Sequence, residues 1–300
     1  MDLDWLKDFL ALAELKSFSR AADARNVTQP AFSRRVRALE DWIGTRLFVR
    51  GPQGVSLTEA GTHFLPQAAD IMRSVERARR DTRSVGEQGG GGLSIAATHA
   101  LSFTFFPGWI RSRLHFEALG ALNLISDSMD GCEQIMLSGE VHFLLCHHHP
   151  AAPARFDAER FQSVQVGTDI LVPLCAPDGE GRPVWALPHR SSRPARLLAY
   201  SQASGIGRIL SAHRASGDAM ANMQVAFTSH LAAALMTMAR EGHGLAWLPR
   251  TLAGDEVTQG RLVRAAPEQF DVPVEVRLFR SPDCRNRTAD DLWDAVTGNA

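Results

Sequence analysis

The sequence predicts an α/β protein with a mainly helical N-terminal head and a two-lobed α/β body. Three observations support this fold class. Helical periodicity dominates residues 1–85, short apolar runs alternate with helical stretches beyond residue 92, and 300 residues are many for one domain. The stretch GEQGGGG at residues 86–92 predicts a flexible linker between the two parts.

Charge is distributed unevenly along the chain. Residues 1–85 carry 14 basic and 11 acidic side chains, a net charge of +3, and the remainder carries a net charge of −4. Seven arginines lie between Arg20 and Arg50. This asymmetry predicts a head that binds a polyanion, attached to a neutral or acidic body.

Nothing in the sequence indicates export or a membrane partner. The start, MDLDWLKDFLALAEL, is acidic and amphipathic, unlike a signal peptide, and no run of about 18 apolar residues occurs. The four cysteines are scattered, without a CxxC pair: Cys132, Cys146, Cys175 and Cys284. We therefore expect a cytoplasmic protein with free thiols.

Three helices are predicted in the head. The first precedes a short second helix over residues 19–25, which Ser17 or Ser19 can cap. After a tight turn, Thr28 is typical of an N-cap and Pro30 of a first helical turn.

The third helix, TQPAFSRRVRALEDWI, has two distinct faces at about 100° per residue. Its apolar residues form one stripe: Phe32, Val36, Leu39 and Ile43. The opposite face and the exposed N-terminal tip are polar: Gln29, Pro30, Ser33, Arg34 and Arg37. This arrangement predicts a helix-turn-helix, and the alternative is a helix whose charges are only solvated.

A wing and a long helix follow. The apolar runs 47–49 and 55–57 flank turn residues 51–54 and predict a hairpin. Thr58 then caps a long helix that Pro66 should bend. Apolar residues recur along this helix at a spacing near 3.5, which suits a helix–helix seam.

Eight apolar runs in the body are candidate strands: 93–97, 122–125, 141–146, 170–175, 196–200, 224–227, 245–248 and 274–279. Their alternation with helical stretches predicts largely parallel sheets in two lobes, with a ligand held between them. Polar residues follow three of the strands: Thr98, His99 and Ser102, then Gln202 and Ser204, then Thr228 and His230. Such residues line a cleft at helix N-termini or only cap their own helices.

The head resembles the LysR-type transcriptional regulators. The resemblance is carried by FLALAELKSFSRAAD, VTQPAFSRRVRALEDWIGTRLFVR and LTEAG, in the family's order and spacing over residues 3–83. The body is similar to the family's effector domain, two Rossmann-like lobes similar to a type 2 periplasmic binding protein, through pieces such as EGHGLAWLP.

The resemblance implies three segments. These are a winged helix-turn-helix domain at 1–58, a linker or dimerisation helix with a hinge at 59–92, and an effector domain at 93–300. Lobe I would cover about 93–166 and 270–300, and lobe II about 167–269. It also implies a homodimer, usually a tetramer built as a dimer of dimers, and contact with RNA polymerase when the protein activates.

The resemblance assigns roles to residues in the head. Gln29, Pro30, Ser33 and Arg34 would read bases of an interrupted palindrome, with Arg37 near phosphate and Arg50 and Gln53 of the wing at the minor groove or backbone. In the body, the three polar turns would form the effector pocket.

The run Cys146 to His149 offers metal donors, but neighbouring strand residues point to opposite faces, so at most two could share an ion. No second Cys or His cluster has a known ligand spacing, and we expect no metal. His147 is a candidate effector contact instead.

A small organic acid or other metabolite is the expected effector, and an oxidant is the alternative. AATHALS, YSQASGIGR and EGHGLAWLP resemble the family's hypochlorite-responsive branch, which responds through methionine oxidation. Four of the eight methionines are grouped in the body: Met220, Met223, Met236 and Met238. The cleft turns, however, present Ile206 and His230 where a thioether would best serve a sensor.

Two other classes of protein could contain such lobes. An enzyme would need catalytic motifs, but GxSxG, P-loop, GxGxxG and HExxH are missing, so we expect no catalysis and no cofactor. A solute-binding transport protein would share the lobes but would require export.

Overall fold

A computed structural model gives the fold of residues 2–51, 54–86, 92–113, 121–156, 160–188, 194–214, 223–282, 284 and 286–298. The chain forms two compact units, Met1–Arg83 and Ser84–Ala300. None of the helices within these ranges has the length and apolar character needed to cross a lipid bilayer.

The N-terminal unit has the predicted winged helix-turn-helix. Its helices are α1 (Leu3–Leu15), α2 (Phe18–Ala24), α3 (Gln29–Ile43) and α4 (Glu59–Gly86), and its strands are β1 (Phe48–Gly51) and β2 (Gly54–Leu57). The two strands pair antiparallel to form the wing. Asn26 adopts a left-handed backbone, with φ of 53°, in the turn between α2 and α3.

Capping sets where these helices begin. Ser17 caps α2, and Thr58 caps α4 by accepting a hydrogen bond from the Gly61 amide at 2.9 Å. Thr28 occupies the N-cap position of α3, as predicted, but its hydroxyl makes no cap hydrogen bond. Pro30 lies in the first turn of α3, where its missing N–H leaves one donor fewer to satisfy.

The apolar stripe of α3 is buried in the core of the head, with Phe32, Val36 and Leu39 at most 2% exposed. The first half of α4 packs on the same core, through Phe64, Leu65, Ala68, Ile71 and Met72. The first half of α4 therefore contributes to the core of the head, and the helix–helix seam along α4 stays a prediction.

The C-terminal unit alternates strands and helices. Its strands are β3 (Leu93–Thr98), β4 (Leu122–Asp127), β5 (Phe143–His148), β6 (Ser163–Cys175), β7 (Ala195–Tyr200), β8 (Met223–Ser229), β9 (Ala246–Pro249), β10 (Val263–Arg264) and β11 (Val272–Arg280). Its helices are α5 (His99–Thr104), α6 (Phe106–Arg113), α7 (Met129–Leu137), α8 (Gly205–Arg214), α9 (Ala232–Arg240), α10 (Arg250–Thr258) and α11 (Arg287–Thr297). The eight predicted strands are all present, and β10 is additional.

The sheets are mixed, so the prediction of largely parallel sheets was wrong. Seven strands form one sheet in the order β10-β6-β11-β5-β3-β4, with β9 also paired to β6, and β7 pairs parallel with β8. β3 pairs parallel with β4 and β5, whereas β11 pairs antiparallel with β5 and β6. The long strand β6 leaves the first lobe and β11 returns to it, so the two connecting strands must lie antiparallel.

Each lobe has its own apolar cores. In the first lobe, Ile95 and Trp293 belong to one core and Met136 to another. In the second lobe, Trp247 belongs to one core and Leu235 to another. Because β6 and β11 contribute to both lobes, they hold the lobes together, and the residue limits given above for each lobe stay a prediction.

Candidate DNA-binding face and effector cleft

The outer face of α3 is polar and open to solvent. Gln29, Pro30, Arg34 and Arg37 are exposed and Ser33 is half-buried, on the side opposite the apolar stripe. Arg50 pairs through its backbone with Val55 in the wing, and Gln53 lies outside the described residues. The predicted base-reading residues therefore share one accessible face of the helix.

Arg35, the arginine between the two outward ones, faces the interior of the head. Its guanidinium lies 3.5 Å from a carboxylate oxygen of Asp8, which is fully buried in α1. Arg25 donates a charged hydrogen bond to the other carboxylate oxygen of Asp8, at 2.8 Å. This cluster joins α1, α2 and α3, so Arg35 fixes the orientation of the helix that carries Arg34. The helical wheel placed Arg34 and not Arg35 on the outward face, but it did not predict the contact between Arg35 and Asp8.

Glu40 connects α3 to the wing. It is 5% exposed and accepts hydrogen bonds from the backbone amides of Leu47 at 2.8 Å and Phe48 at 3.2 Å. Arg46 donates to the same carboxylate at 2.8 Å. A single acidic residue beside the apolar stripe of a basic helix was the sequence signal for this contact.

A small cleft, open to solvent, lies between the lobes of the C-terminal unit. We call it the effector cleft, and it is lined by Thr98, His99, Ala100, Asp127, Ser128, Met129, His147, Ser204, Gly205, Ile206, His230 and Ala232. Both lobes contribute, because β3, β4 and β5 end on one side and α8 and α9 begin on the other.

Five of the eight predicted effector residues line the effector cleft: Thr98, His99, His147, Ser204 and His230. The other three do not line it. Ser102 donates a hydrogen bond to the His99 carbonyl, and Gln202 and Thr228 are exposed. The sequence rule that chose these turns also applies to Ser126-Asp127-Ser128 after β4, which was overlooked.

His99 and His230 face each other across the effector cleft, with ring centroids 5.6 Å apart. Burial lowers the pKa of His99, the nearby His230 lowers it further, and Asp127 acts in the opposite direction. The net shift of the His99 pKa is downward from 6.5, which favours the neutral imidazole at pH 7. Its Nδ1 lies 3.0 Å from the hydroxyl of Ser126.

A buried pair lies beneath the cleft. His147 Nε2 is 3.4 Å from Asp169 on β6, and Thr251 at the start of α10 donates to the same carboxylate at 2.5 Å. Burial alone would raise the pKa of Asp169, but the hydrogen bonds from His147 and Thr251 outweigh it and lower that pKa. A cleft residue is thereby linked to a strand that connects the lobes.

An ion pair crosses from one lobe to the other. Arg208 of α8 forms two hydrogen bonds of 2.8 Å with Glu133 of α7, and it also contacts Asp130. The side chains of Arg208 and Glu133 are 12% and 4% exposed. The hydrogen bonds to Glu133 raise the pKa of Arg208. The same two helices supply Met129 and Gly205 to the cleft lining.

The other candidate chemistries receive little geometric support. No group of three or more His, Cys, Asp or Glu among the described residues is arranged to hold a metal ion. Burial raises the pKa of all four thiols, to about 12 for Cys132 and about 11 for Cys284, which keeps them as unreactive thiols. Met236 and Met238 pack against the second-lobe core, and Met220 lies outside the described residues.

A winged helix-turn-helix with an exposed basic face, followed by two lobes around a polar cleft, defines a ligand-responsive DNA-binding protein. Residues 3–62 match the family described as bacterial regulatory helix-turn-helix protein, lysR family, and residues 86–300 match the LysR substrate binding domain. The chain belongs to the LysR family of transcriptional regulators.

Relatives extend along nearly the whole chain. The transcriptional regulator YjiE of Escherichia coli is 30% identical over 98% of this chain and 93% of its own length. The hypochlorite-specific LysR-type regulator HypT of Salmonella typhimurium is 28% identical, with a TM-score of 0.59, covering 99% of this chain and 97% of its own. DarR of Vibrio fischeri, solved in complex with DNA, is 27% identical with a TM-score of 0.58, covering 99% and 98%.

Proposed function

We propose that this LysR-type regulator reads an interrupted palindromic operator with Gln29, Pro30, Ser33 and Arg34 of α3. Arg37 contacts phosphate, and Arg50 and Gln53 of the wing contact the minor groove or the backbone. The observation that carries this proposal is the single exposed face of α3, opposite a stripe in which Phe32, Val36 and Leu39 are buried. Arginine recognises guanine and glutamine recognises adenine in the major groove, so these side chains can supply base discrimination.

The DNA interface is tested by a fluorescence anisotropy titration with the region upstream of the protein's own gene. Arg34→Ala should weaken specific binding by about 1–3 kcal/mol, the worth of one bidentate base contact. Arg111→Ala removes the same charge from an exposed position on α6 and serves as the matched control. If both variants lost the same operator affinity, the loss would come from the change in net charge alone, and the assignment of Arg34 as a base-reading residue would be overturned.

The effector is a small polar metabolite bound in the effector cleft. Hydroxyl, imidazole and carboxylate groups converge there from both lobes, and Thr98 Oγ1 is buried without a hydrogen-bond partner in the described structure. Buried polar groups normally have partners, so a ligand that supplies one gains affinity. The cleft has a binding role in this proposal, with no catalytic step and no cofactor.

Binding between the lobes regulates only if it favours one arrangement of them. Met129 and Gly205 line the cleft from opposite lobes, and a Cβ at Gly205 would lie 3.3 Å from the Met129 side chain. A ligand bound there changes the distance between α7 and α8, and the Arg208–Glu133 ion pair joins the same two helices. The paired heads then change their fit to the operator.

Response to hypochlorite is the second candidate, favoured by the similarity to HypT and by the Met129 thioether in the cleft lining. Oxidation would make this packed side chain polar. If hypochlorite alters operator binding, mass spectrometry should find a sulfoxide at Met129 and the Met129→Leu protein should not respond. Unchanged operator binding after oxidation would reject this candidate.

We further propose a homodimer, which forms tetramers as pairs of dimers and contacts RNA polymerase when it activates. The C-terminal unit exposes large apolar side chains at Val225 (54%) and Phe227 (36%), which lie two residues apart on β8 and offer a contact surface for a second copy of the chain. Two heads about 34 Å apart would match an interrupted palindrome in the cytoplasm. Val225→Asp should shift the sedimentation of the full chain toward a smaller assembly, and unchanged sedimentation would count against this surface.

A further inference from the structure

A closed ring of hydrogen bonds surrounds His99 at the edge of the effector cleft. His99 Nδ1 lies 3.0 Å from Ser126 Oγ, and Ser126 Oγ lies 3.0 Å from Ser102 Oγ. Ser102 Oγ in turn donates to the His99 backbone carbonyl at 2.7 Å. These hydrogen bonds join the start of α5, which carries His99 and Ser102, to Ser126 near the end of β4.

The direction of each hydrogen bond in this ring follows from counting protons. A carbonyl oxygen only accepts, so Ser102 uses its single hydroxyl hydrogen on the His99 carbonyl. Ser102 must then accept from Ser126, whose own hydrogen is thereby used. Ser126 is left as an acceptor toward His99, and Nδ1 of His99 must carry the proton.

The fixed tautomer determines what His99 offers to the cleft. A neutral imidazole with its proton on Nδ1 has a lone pair on Nε2. Among the described residues, no side chain or backbone group forms a hydrogen bond to Nε2, and His99 lines the cleft. The lowered pKa of His99, caused first by burial and then by His230, favours this neutral ring, in which Nε2 is a hydrogen-bond acceptor.

We propose that His99 selects effectors that carry an O–H or N–H donor, which its fixed Nε2 accepts. This inference rests on the proposed effector cleft and names the class of ligand: a hydroxy or amino compound, as opposed to a bare anion. Asp127, whose carboxylate also lines the cleft, is a second acceptor on the same side. Thr98 Oγ1, buried and unpartnered in the described structure, lies next in sequence and can bond the same ligand.

The tautomer is measurable without any effector. In the full chain labelled with ¹³C and ¹⁵N at histidine, ring chemical shifts at about pH 8, above the ordinary imidazole pKa, report which nitrogen is protonated. His99→Gln assigns the resonance. We expect the Nδ1–H form in the wild type. Ser126→Ala, which removes the acceptor, should shift the population toward Nε2–H.

The Ser102→Ala variant tests whether the direction of the hydrogen bonds, and not packing around His99, sets the tautomer. It leaves Ser126 in place but frees its hydrogen, which can then be donated to Nδ1, so the Nε2–H population should rise here as well. Ser112→Ala, on α6, removes a hydroxyl that donates only to the Trp109 carbonyl and should change nothing. An Nε2–H wild type, or no response to Ser126→Ala, overturns the proposal.

The ligand class is tested with matched pairs of acids on the same labelled protein. Each pair contains a hydroxy or amino acid and its O-methyl or N,N,N-trimethyl counterpart, which has no O–H or N–H donor. The member with the donor should bind roughly 10-fold more tightly, the worth of one hydrogen bond, as read from the shift of the His99 resonance. Preference for the capped members, or no shift with any pair, overturns the ligand class. Operator binding is measured on the same sample. If it is intact while no acid binds, the ligand class has failed and the proposed DNA-binding function has not.

Discussion

The recognition helix exposes its arginines to solvent, whereas the effector cleft encloses its polar groups between two lobes. Both regions also bury an acidic side chain against arginine. In the head, Asp8 joins helices of one core, and in the effector unit Glu133 joins Arg208 of the opposite lobe. A buried ion pair inside one core fixes a single geometry. The same interaction across two lobes stabilises one of two arrangements, which is what a regulated protein requires.

The largest expected effect comes from breaking the pair between the lobes. Arg208→Met leaves Glu133 buried without its main partner, so the free energy of unfolding of the C-terminal unit should fall by about 3 kcal/mol. Chemical denaturation of the full chain measures this loss. Arg155→Met is the control, because its guanidinium is 60% exposed and its bond to Asp130 should be worth under about 1 kcal/mol. Equal losses would show that the pair has no special role.

Glu40 provides the corresponding test in the head. Glu40→Ala leaves the amides of Leu47 and Phe48 without an acceptor at a cost of about 2 kcal/mol. Hydrogen exchange should become faster at these amides, and operator affinity should fall because the wing is less firmly held. Asp41→Ala, at the exposed neighbouring position, should alter neither quantity. Slow exchange in the Glu40 variant would exclude this carboxylate as the wing's anchor.

A smaller effect is expected from pH. Burial and then His230 lower the pKa of His99, so the folded protein binds fewer protons there than the unfolded chain. The contribution to stability is complete above 6.5 and is lost as the pH falls from 6.5 to the folded pKa. The stability of the wild type should therefore decrease more steeply in this range than that of His99→Gln. Asp127 and His230 are present in both proteins, and equal slopes would contradict the assigned shift.

The two regions also differed in how far the sequence could predict them. Both faces of α3 follow from one helical period, so Phe32 and Arg34 could be placed without knowing any other element. The cleft residues His99 and His230 were predicted because polar residues at strand ends meet at a sheet edge. The antiparallel connecting strands were missed, since strand direction depends on how the chain returns between lobes.

Contacts between distant segments were beyond sequence reasoning. Arg35 with Asp8, and Arg208 with Glu133, join elements whose packing no local pattern encodes. Arg34 and Arg35 are identical and adjacent in sequence, yet one is open to solvent and the other faces a buried carboxylate. Helical periodicity separates their two faces, but the buried partner of Arg35 depends on the position of α1.

The most direct test of this account compares these two arginines. Operator titration and chemical denaturation would be performed on Arg34→Ala and Arg35→Ala proteins beside the wild type. Arg34→Ala should lose specific operator binding by about 1–3 kcal/mol with unchanged stability, and Arg35→Ala should lower the stability of the head because Asp8 loses a partner. Wild-type operator affinity in the Arg34→Ala protein would contradict the assignment of α3 as the base-reading helix.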